Sequence, residues 1–598
     1  MPHRLKKIRS RGSALALALA LGLALGLALT ACTSVPPTAP VSNAPLPAPG
    51  APAIQVNQVG FLPGSAKWAV VPAGASSDFA VVDASSGREV FRGRLGPATA
   101  WDAAQETLRL ADFSTLRTPG TYRLHVEGLP DSARFTIDTH AYEALNAAAL
   151  KFFYFNRASI ELAPPYAGTW ARPAGHPDDH VLVHASAAGP GRPAGTVIAA
   201  PKGWYDAGDY NKYVVNSGIT VYTLLAAYEH FPAFFDAQRL NIPESGNALP
   251  DLLDEALWNL EWMLAMQDPA DGGVYHKLTN KGFDAIVLPH QATSERYVVM
   301  KSTAAALDFA AVMAQASRVY ARFEAQRPGL SARMLAAARR AWAWAGAHPA
   351  QLYEQPADIH TGGYAESHLA DEFAWAATEL YVTTRDDAYW RAVPRPDAPL
   401  DVPGWPNVGT LGWISLAQHR EHLTPAADRA LIERRVREFA EALATRWERS
   451  PYRVAMERED FIWGSNAHAL NQALMLIQGY RLSGERRLLD AAQSALDFVL
   501  GRHPSGYAMV TGFGARSPLH PHHRPSGALP ALPPVPGMIV GGPHAGARDD
   551  CPTPYPSQAP AKVYQDAFCS FTTNEIAINW NAPLVYVSAA LQVLTPPR

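Results

Sequence analysis

The 598-residue chain reads as a small β-sandwich followed by a larger all-helical domain. Two observations predict this. Between Ile54 and Asp138, apolar residues alternate with polar ones and turn residues recur every few positions. After Ala141 the apolar spacing changes to steps of three and four. A hydrophobic content of 48% with 18% charged residues supplies core for both regions and excludes a wholly disordered chain.

Residues 1–32 read as an address. Arg4, Lys6, Lys7, Arg9 and Arg11 precede an Ala/Leu run over 14–31, and Leu29-Thr30-Ala31-Cys32 resembles the lipobox of bacterial lipoproteins. On that resemblance Cys32 becomes the lipidated first residue, and Thr33 favours the outer membrane. A retained anchor or simple secretion is the alternative. Residues 33–53 hold seven prolines and form an extended tether. The chain is then an exported lipoprotein of the outer membrane, cell surface or periplasm, touching the membrane through lipid alone. Export into an oxidising space makes Cys551 and Cys569 a possible disulfide, with two free thiols as the alternative.

Over residues 54–138, Trp68-Ala69-Val70-Val71, Phe79-Ala80-Val81-Val82 and Phe135-Thr136-Ile137 read as strands, and Tyr122, Leu124 and Val126 alternate after the turn pair Pro119-Gly120. No polar convergence marks this region, so it reads as a bracing or positioning module. Residues 141–598 read as helices near 141–157, 217–231, 249–264, 301–322, 331–347, 370–383, 410–420, 426–446, 464–482, 486–501 and 582–594, with no convincing strand between them. The long connections 157–217, 267–301 and 501–572 are where chemistry is expected.

Net charge points the same way. Without the basic start, 46 basic residues stand against 54 acidic ones, a poor surface for phosphate-tracking nucleic-acid binding. Three cysteines are too few for a Cys-rich zinc module. After residue 32 no apolar run is long enough to span a bilayer, which excludes a transporter.

The first long connection ends in Gly203-Trp204-Tyr205-Asp206-Ala207-Gly208-Asp209-Tyr210. Two carboxylates three residues apart can face one small volume, though aspartates also form turns and helix caps. The flanking aromatics Trp204, Tyr205 and Tyr210 suggest sugar-ring contacts. The last connection carries Tyr564-Gln565-Asp566, Phe571-Thr572-Thr573-Asn574-Glu575 and Asn579-Trp580-Asn581. Thr572-x-x-Glu575 also fits a capping box, which would make Glu575 structural. Gly514-Ala515-Arg516 and His520-Pro521-His522-His523-Arg524 read as polar substrate contacts rather than a metal site, because neighbouring His522 and His523 do not easily share one ion. An inverting glycosidase needs a protonated acid beside the leaving oxygen and a carboxylate about 6.5–9.5 Å away to activate water. Glu575, partly desolvated near Trp580, suits the acid, and the aspartate pair suits the water side.

These stretches resemble glycoside hydrolase family 9, the inverting cellulase family, in its form with an N-terminal immunoglobulin-like domain. Ile54 to Pro63 is similar to the opening of that domain. Tyr564-x-Asp566-x4-Phe571-x3-Glu575-x-Ala577-x3-Asn581-Ala582 follows the acid-bearing motif, and Gly514-x-Arg516-x4-Pro521-His522-x-Arg524 the other signature, with Ala508 a mild departure upstream. The resemblance implies an (α/α)6 barrel over 141–598 behind the immunoglobulin-like sandwich over 54–138. It implies Asp209 as general base with Asp206 as its partner, and Glu575 as general acid. His522 and Arg524 become substrate-binding residues and Asp566 an assisting polar residue. No cofactor is required; a structural calcium is possible at Asp371 and Glu372. The substrate implied is a β-1,4-glucan or cello-oligosaccharide, cut by an endo-acting cellulase. Exo action on cello-oligosaccharides or glucosamine oligomers, and a non-catalytic glycan-binding surface lipoprotein, are the competing readings.

Overall fold

The structure, a computed structural model of the chain, describes residues 53–393, 398–547 and 550–595. Cys32, the expected lipidation site, and the tether up to residue 52 lie outside the described residues.

Eight short strands build the N-terminal domain: β1 (Gly60–Phe61), β2 (Trp68–Pro72), β3 (Asp78–Asp83), β4 (Glu89–Arg94), β5 (Thr99–Trp101), β6 (Glu106–Asp112), β7 (Gly120–His125) and β8 (Phe135–Ile137). They form one sheet in the order β1-β8-β7-β3-β4 and a second in the order β2-β6-β5. All pairs are antiparallel except β1 with β8. The alternating residues Tyr122, Leu124 and Val126 turn inward onto Phe61, Phe79, Val81, Phe113 and Phe135. The Tyr122 hydroxyl donates to the Thr118 carbonyl at 3.0 Å, fastening the chain just ahead of β7.

Sixteen helices follow among the described residues, and twelve of them build the body of the domain: α1 (Glu143–Phe155), α2 (Val214–His230), α3 (Asp251–Ala265), α4 (Thr303–Tyr320), α5 (Leu330–Ala347), α6 (Ala370–Thr384), α7 (Asp387–Arg391), α8 (Gly409–His419), α9 (Arg429–Arg449), α10 (Ser465–Ser483), α11 (Arg486–Val499) and α12 (Ile578–Leu594). Burial differs sharply among them. α2 is buried continuously from Val214 to Tyr228, and α12 from Ile578 to Leu591. α5 and α9 bury one stripe only, such as Ile432, Val436, Ala440, Leu443 and Trp447 on α9. The even-numbered helices pack in a closed ring, each against the next and α12 against α2, and the odd-numbered ones cover them. Eleven of the twelve answer the sequence periodicity; α7, a helix of five residues, is too short to leave one. α12 starts four residues ahead of the expected 582 and carries Pro583 inside it.

One expectation fails. The connections thought to lack strands hold a five-stranded sheet of Val181–Val183, Val197–Ile198, Lys212–Tyr213, Lys277–Thr279 and Arg296–Val298. Strands of two or three residues are shorter than one clear alternation, so they are silent in the sequence. A buried ionic knot holds them: Asp178 accepts from Lys212 at 2.7 Å and from Arg296 at 3.1 Å.

The sandwich docks on the outer helices. Trp101 packs on Tyr452 with ring centroids 4.5 Å apart and touches Phe461 and Phe498. Trp68 meets Trp447, and Asn57 Nδ2 donates to Asp497 at 2.8 Å. Gln58 reaches further, donating to the Gly506 carbonyl and accepting from the Arg516 amide, both at 3.0 Å. These contacts tie the first strand segment to the connection that carries His522 and Arg524.

Candidate active site

The segment ahead of α2 presents its carboxylates by burying its aromatics. Trp204 donates from Nε1 to Glu255 at 2.8 Å and packs on Phe153 at 4.6 Å. Tyr205 bonds His176 at 2.8 Å and packs on Tyr210 at 4.9 Å. Both are buried, at 0% and 2% exposure. The expectation that they contact substrate is therefore corrected: they anchor the loop from beneath. Asp206 and Asp209 are left facing outward into a cavity. Gly208 between them lies so close to His522 that an added Cβ would meet the His522 carbonyl oxygen at 2.3 Å, so only glycine fits.

Glu575 comes from the other end of the chain. A short helix, Phe571–Asn574, ends on it, and its backbone turns extended (φ −70°, ψ 156°) before α12 begins at Ile578. It pairs in parallel with His522, while the next residue, Ile576, pairs with Val540. The capping-box alternative is excluded by this geometry. Thr572 spends its amide and hydroxyl on Asp550, and the Glu575 side chain instead accepts from the Gly208 amide at 3.3 Å.

The three acids line one cavity of about 460 Å³. Segments leading into five of the six inner helices contribute to its wall: Asp209 and Tyr213 before α2, Tyr364 before α6, Trp405 before α8, Trp463 before α10 and Glu575 before α12; Phe283 comes from the connection to α4. Five of the inner helices are thus entered from segments that line the cavity. Burial, with Asp209 and Asp206 next in effect, pushes the Glu575 carboxyl well above the usual range, against a smaller pull from the Gly208 amide and Arg524. Burial and the charge of Asp209 also push Asp206 up to about 8, although Tyr364 Oη and Asn216 Nδ2 each donate to it at 2.7 Å. Asp209 accepts from Asn211 Nδ2 and, at 3.3 Å, from the Tyr213 hydroxyl. Burial and the two aspartates thus drive Glu575 toward its protonated form in the cavity it shares with them.

The remaining expected residues stand around this centre. His522 hydrogen-bonds through Nδ1 to the Phe568 carbonyl at 2.7 Å, and burial lowers its pKa. Arg524 lies behind the aspartate loop, donating to the Gly208 carbonyl and to the Asp284 carbonyl, both at 2.9 Å. Asp566 accepts the amides of Leu519 and His520 at 2.9 Å and the Asn574 side chain at 3.1 Å. Arg524 and Asp566 therefore brace the two carboxylate-bearing segments. Cys551 and Cys569 form a disulfide, Cα to Cα 5.2 Å, closing the loop that carries Phe568. His523 turns away onto Ser526, so the three histidines do not converge.

Sequence reasoning missed Tyr364, Asn216, Trp405 and Trp463. Lone residues scattered over three connections and one helix leave no spacing signal. The pair Gly362-Gly363 ahead of Tyr364, itself held at φ +49°, is the one local hint of a constrained backbone.

Asp371 and Glu372 sit at the start of α6. Asp371 accepts the Val408 amide at 2.9 Å. Both Asp308 oxygens and one of Glu366 are buried with no hydrogen-bond partner, and burial, then the Asp371 side chain beside it and the charge of Asp308, push Glu372 up to about 11. All-oxygen donors of this kind suit a hard cation. Among the described residues, however, no three His, Cys, Asp or Glu side chains converge on one metal position.

Comparison with known proteins agrees with this site. Residues 142–588 match glycosyl hydrolase family 9, and residues 50–131 match the cellulase N-terminal Ig-like domain. A xyloglucan-specific endo-beta-1,4-glucanase of Bacteroides ovatus is 44% identical over 558 residues, covering 91% of this chain and 94% of its own. Endoglucanase D of Acetivibrio thermocellus is 32% identical over 555 residues, 91% of this chain and 84% of its own. The solved structure of a Bacteroides ovatus family 9 enzyme superposes with a TM-score of 0.85 at 42% identity, over 91% of this chain and 99% of that one. The chain belongs to glycosyl hydrolase family 9, with a cellulase-type Ig-like domain ahead of its helical catalytic domain.

Proposed function

We propose that the chain hydrolyses internal β-1,4-glucosidic bonds of soluble β-glucans with inversion, in an (α/α)6 barrel formed by the six inner and six outer helices. Glu575 is the general acid. Asp209 is the general base, and Asp206, held by Tyr364 and Asn216, orients the attacking water with it. The observation that carries this is the cavity lined by all three acids, with Glu575 driven toward its protonated form by burial and by the two aspartates. Trp405, Trp463 and Trp580 on the cavity wall offer faces for pyranose rings. The 44% identity to a xyloglucan-specific enzyme favours a branched soluble glucan over crystalline cellulose.

Leaving-group dependence tests the acid. Glu575→Gln should lose about 10²–10⁴ of turnover on xyloglucan and cellohexaose, yet lose little on a 2,4-dinitrophenyl cellobioside, whose phenolate leaves without protonation. Equal losses on both would remove Glu575 from the role. A product profile on xyloglucan, cellohexaose and chitosan oligomers separates endo from exo action and glucan from glucosamine.

Two further elements belong to the proposal. Cys32 is the lipid attachment point, supported by the lipobox-like sequence; palmitate labelling lost in Cys32→Ala tests it, and labelling retained would refute it. A structural calcium at Asp371 and Glu372 is the second, supported by the all-oxygen character of those side chains with Asp308 close by. Calcium should then raise the melting temperature of the wild type but not of Glu372→Gln, and no rise in the wild type would exclude it.

A further inference from the structure

Lys277 is a buried cation that the proposed reaction does not use. It opens the Lys277–Thr279 strand and is fully buried. Its Nζ donates to the Gly362 carbonyl at 2.5 Å, to Thr361 Oγ1 at 3.0 Å and to Gln355 Oε1 at 3.2 Å, and it lies over the Tyr213 and Tyr353 rings. A buried ammonium needs a countercharge. The acidic side chain whose charge bears on it is Asp209.

Two continuous paths run from Lys277 to Asp209 and a third to Asp206. The Tyr213 ring faces the ammonium, and its hydroxyl donates to Asp209 Oδ2. Thr361 Oγ1 bonds Thr279 Oγ1 at 2.6 Å, Thr279 donates to Asn211 Oδ1 at 3.0 Å, and Asn211 Nδ2 donates to Asp209. Toward the other aspartate, the Gly362 carbonyl held by Lys277 lies two residues before Tyr364, whose hydroxyl donates to Asp206. His276 secures the Gly363 carbonyl between them at 2.7 Å.

We propose that Lys277 is the positioning residue of the aspartate pair: its ammonium is the buried counter-cation of Asp209, and its bond to Gly362 fixes the segment that presents Tyr364 to Asp206. This rests on the reading of Asp209 as base. Asp209 is faced by Asp206 and Tyr213 from its own segment, by Lys277 and Asp284 from the connection to α4, and by His522 and Glu575 from the last connection. Within that set the aspartates and Glu575 are acids and burial lowers the His522 pKa, so Lys277 is its cation; the Arg524 guanidinium sits on the neighbouring Gly208 carbonyl and acts on Glu575 and Asp284. Burial pulls the Lys277 ammonium down to about 7 while Asp209 pulls it up, so each charge supports the other.

Lys277→Met keeps the volume and removes the charge. The acidic limb of its kcat/KM–pH profile should move up by about one pH unit, the usual worth of a nearby opposite charge, with KM at the optimum within about twofold of the wild type. A merely structural lysine would lower activity equally at every pH. The reciprocal measurement needs no turnover: the ¹³Cε resonance of Lys277 in the full chain should titrate about one pH unit lower in Asp209→Asn than in the wild type. That titration stands even if another residue proves to be the base. It also decides the matter alone if Lys277→Met does not fold. An unshifted acidic limb in folded Lys277→Met, or one Lys277 midpoint in both proteins, would overturn the proposal.

Discussion

Asp206→Asn separates charge from hydrogen bonding at the heart of the site. The folded chain holds the Asp206 proton until about pH 8, whereas the unfolded chain releases it near 3.8. Between those values the folded state binds more protons than the unfolded one, so stability is fullest below about 3.8 and falls as pH rises. At about 1.4 kcal/mol per pH unit, the wild type gives up on the order of 4 kcal/mol between pH 4 and pH 7. The amide has no such proton to lose. It also turns an NH2 group toward one of the two donors, Tyr364 or Asn216, a pH-independent loss of about 1–3 kcal/mol. The stability difference, variant minus wild type, should therefore start negative at pH 4 and climb by roughly 4 kcal/mol by pH 7. Urea unfolding of both full-length proteins at pH 4, 5.5 and 7, followed by tryptophan fluorescence, reads it. A difference that stays flat across the range would refute the picture of a protonated, repelled carboxyl, and turnover in the variant would show what the charge is worth to the reaction.

Replacing Cys551 and Cys569 by serine should cost about 3 kcal/mol through the reopened loop, readable by urea unfolding. Because the same loop supplies the Phe568 carbonyl that holds His522, KM should rise as well, and an unchanged KM would detach the loop from substrate binding. Trp101→Ala removes the ring wedged against Tyr452 and should cost about 3–5 kcal/mol of unfolding free energy; an equally stable variant would mean the sandwich does not brace the helical domain. Trp463 is 47% exposed on the cavity rim, so Trp463→Ala should leave the melting temperature nearly unchanged while raising KM severalfold on long glucans. No KM change would place the polysaccharide elsewhere.

The legible part of the fold is the part with period. Leu249, Leu252, Leu253, Ala256, Leu257 and Leu260 announce α3 because a helix face repeats over many turns, and Tyr122, Leu124 and Val126 announce β7 because a half-buried strand alternates. Lys212–Tyr213 and its sheet partners are too short to repeat anything. At the site, Asp206, Asp209 and Glu575 were legible through the resemblance of their segments to the family motifs, since spacing alone also fits turn and cap roles. Trp204 and Tyr205 misled for a physical reason. A loop that turns two carboxylates into a cavity must anchor itself on its other side, and its aromatics are the side chains able to do so. Tyr364 and Lys277 act through space on residues more than 60 positions away, and neither leaves a mark in the linear pattern.

The account stands on an acid and a base acting on opposite faces of one sugar ring. Proton NMR of a cello-oligosaccharide or xyloglucan oligosaccharide digest, recorded before mutarotation sets in, measures that directly through the anomeric doublet of the new reducing end. The α-anomer should appear first. A β-anomer appearing first would mean retention, and would contradict Asp209 as a base acting through water.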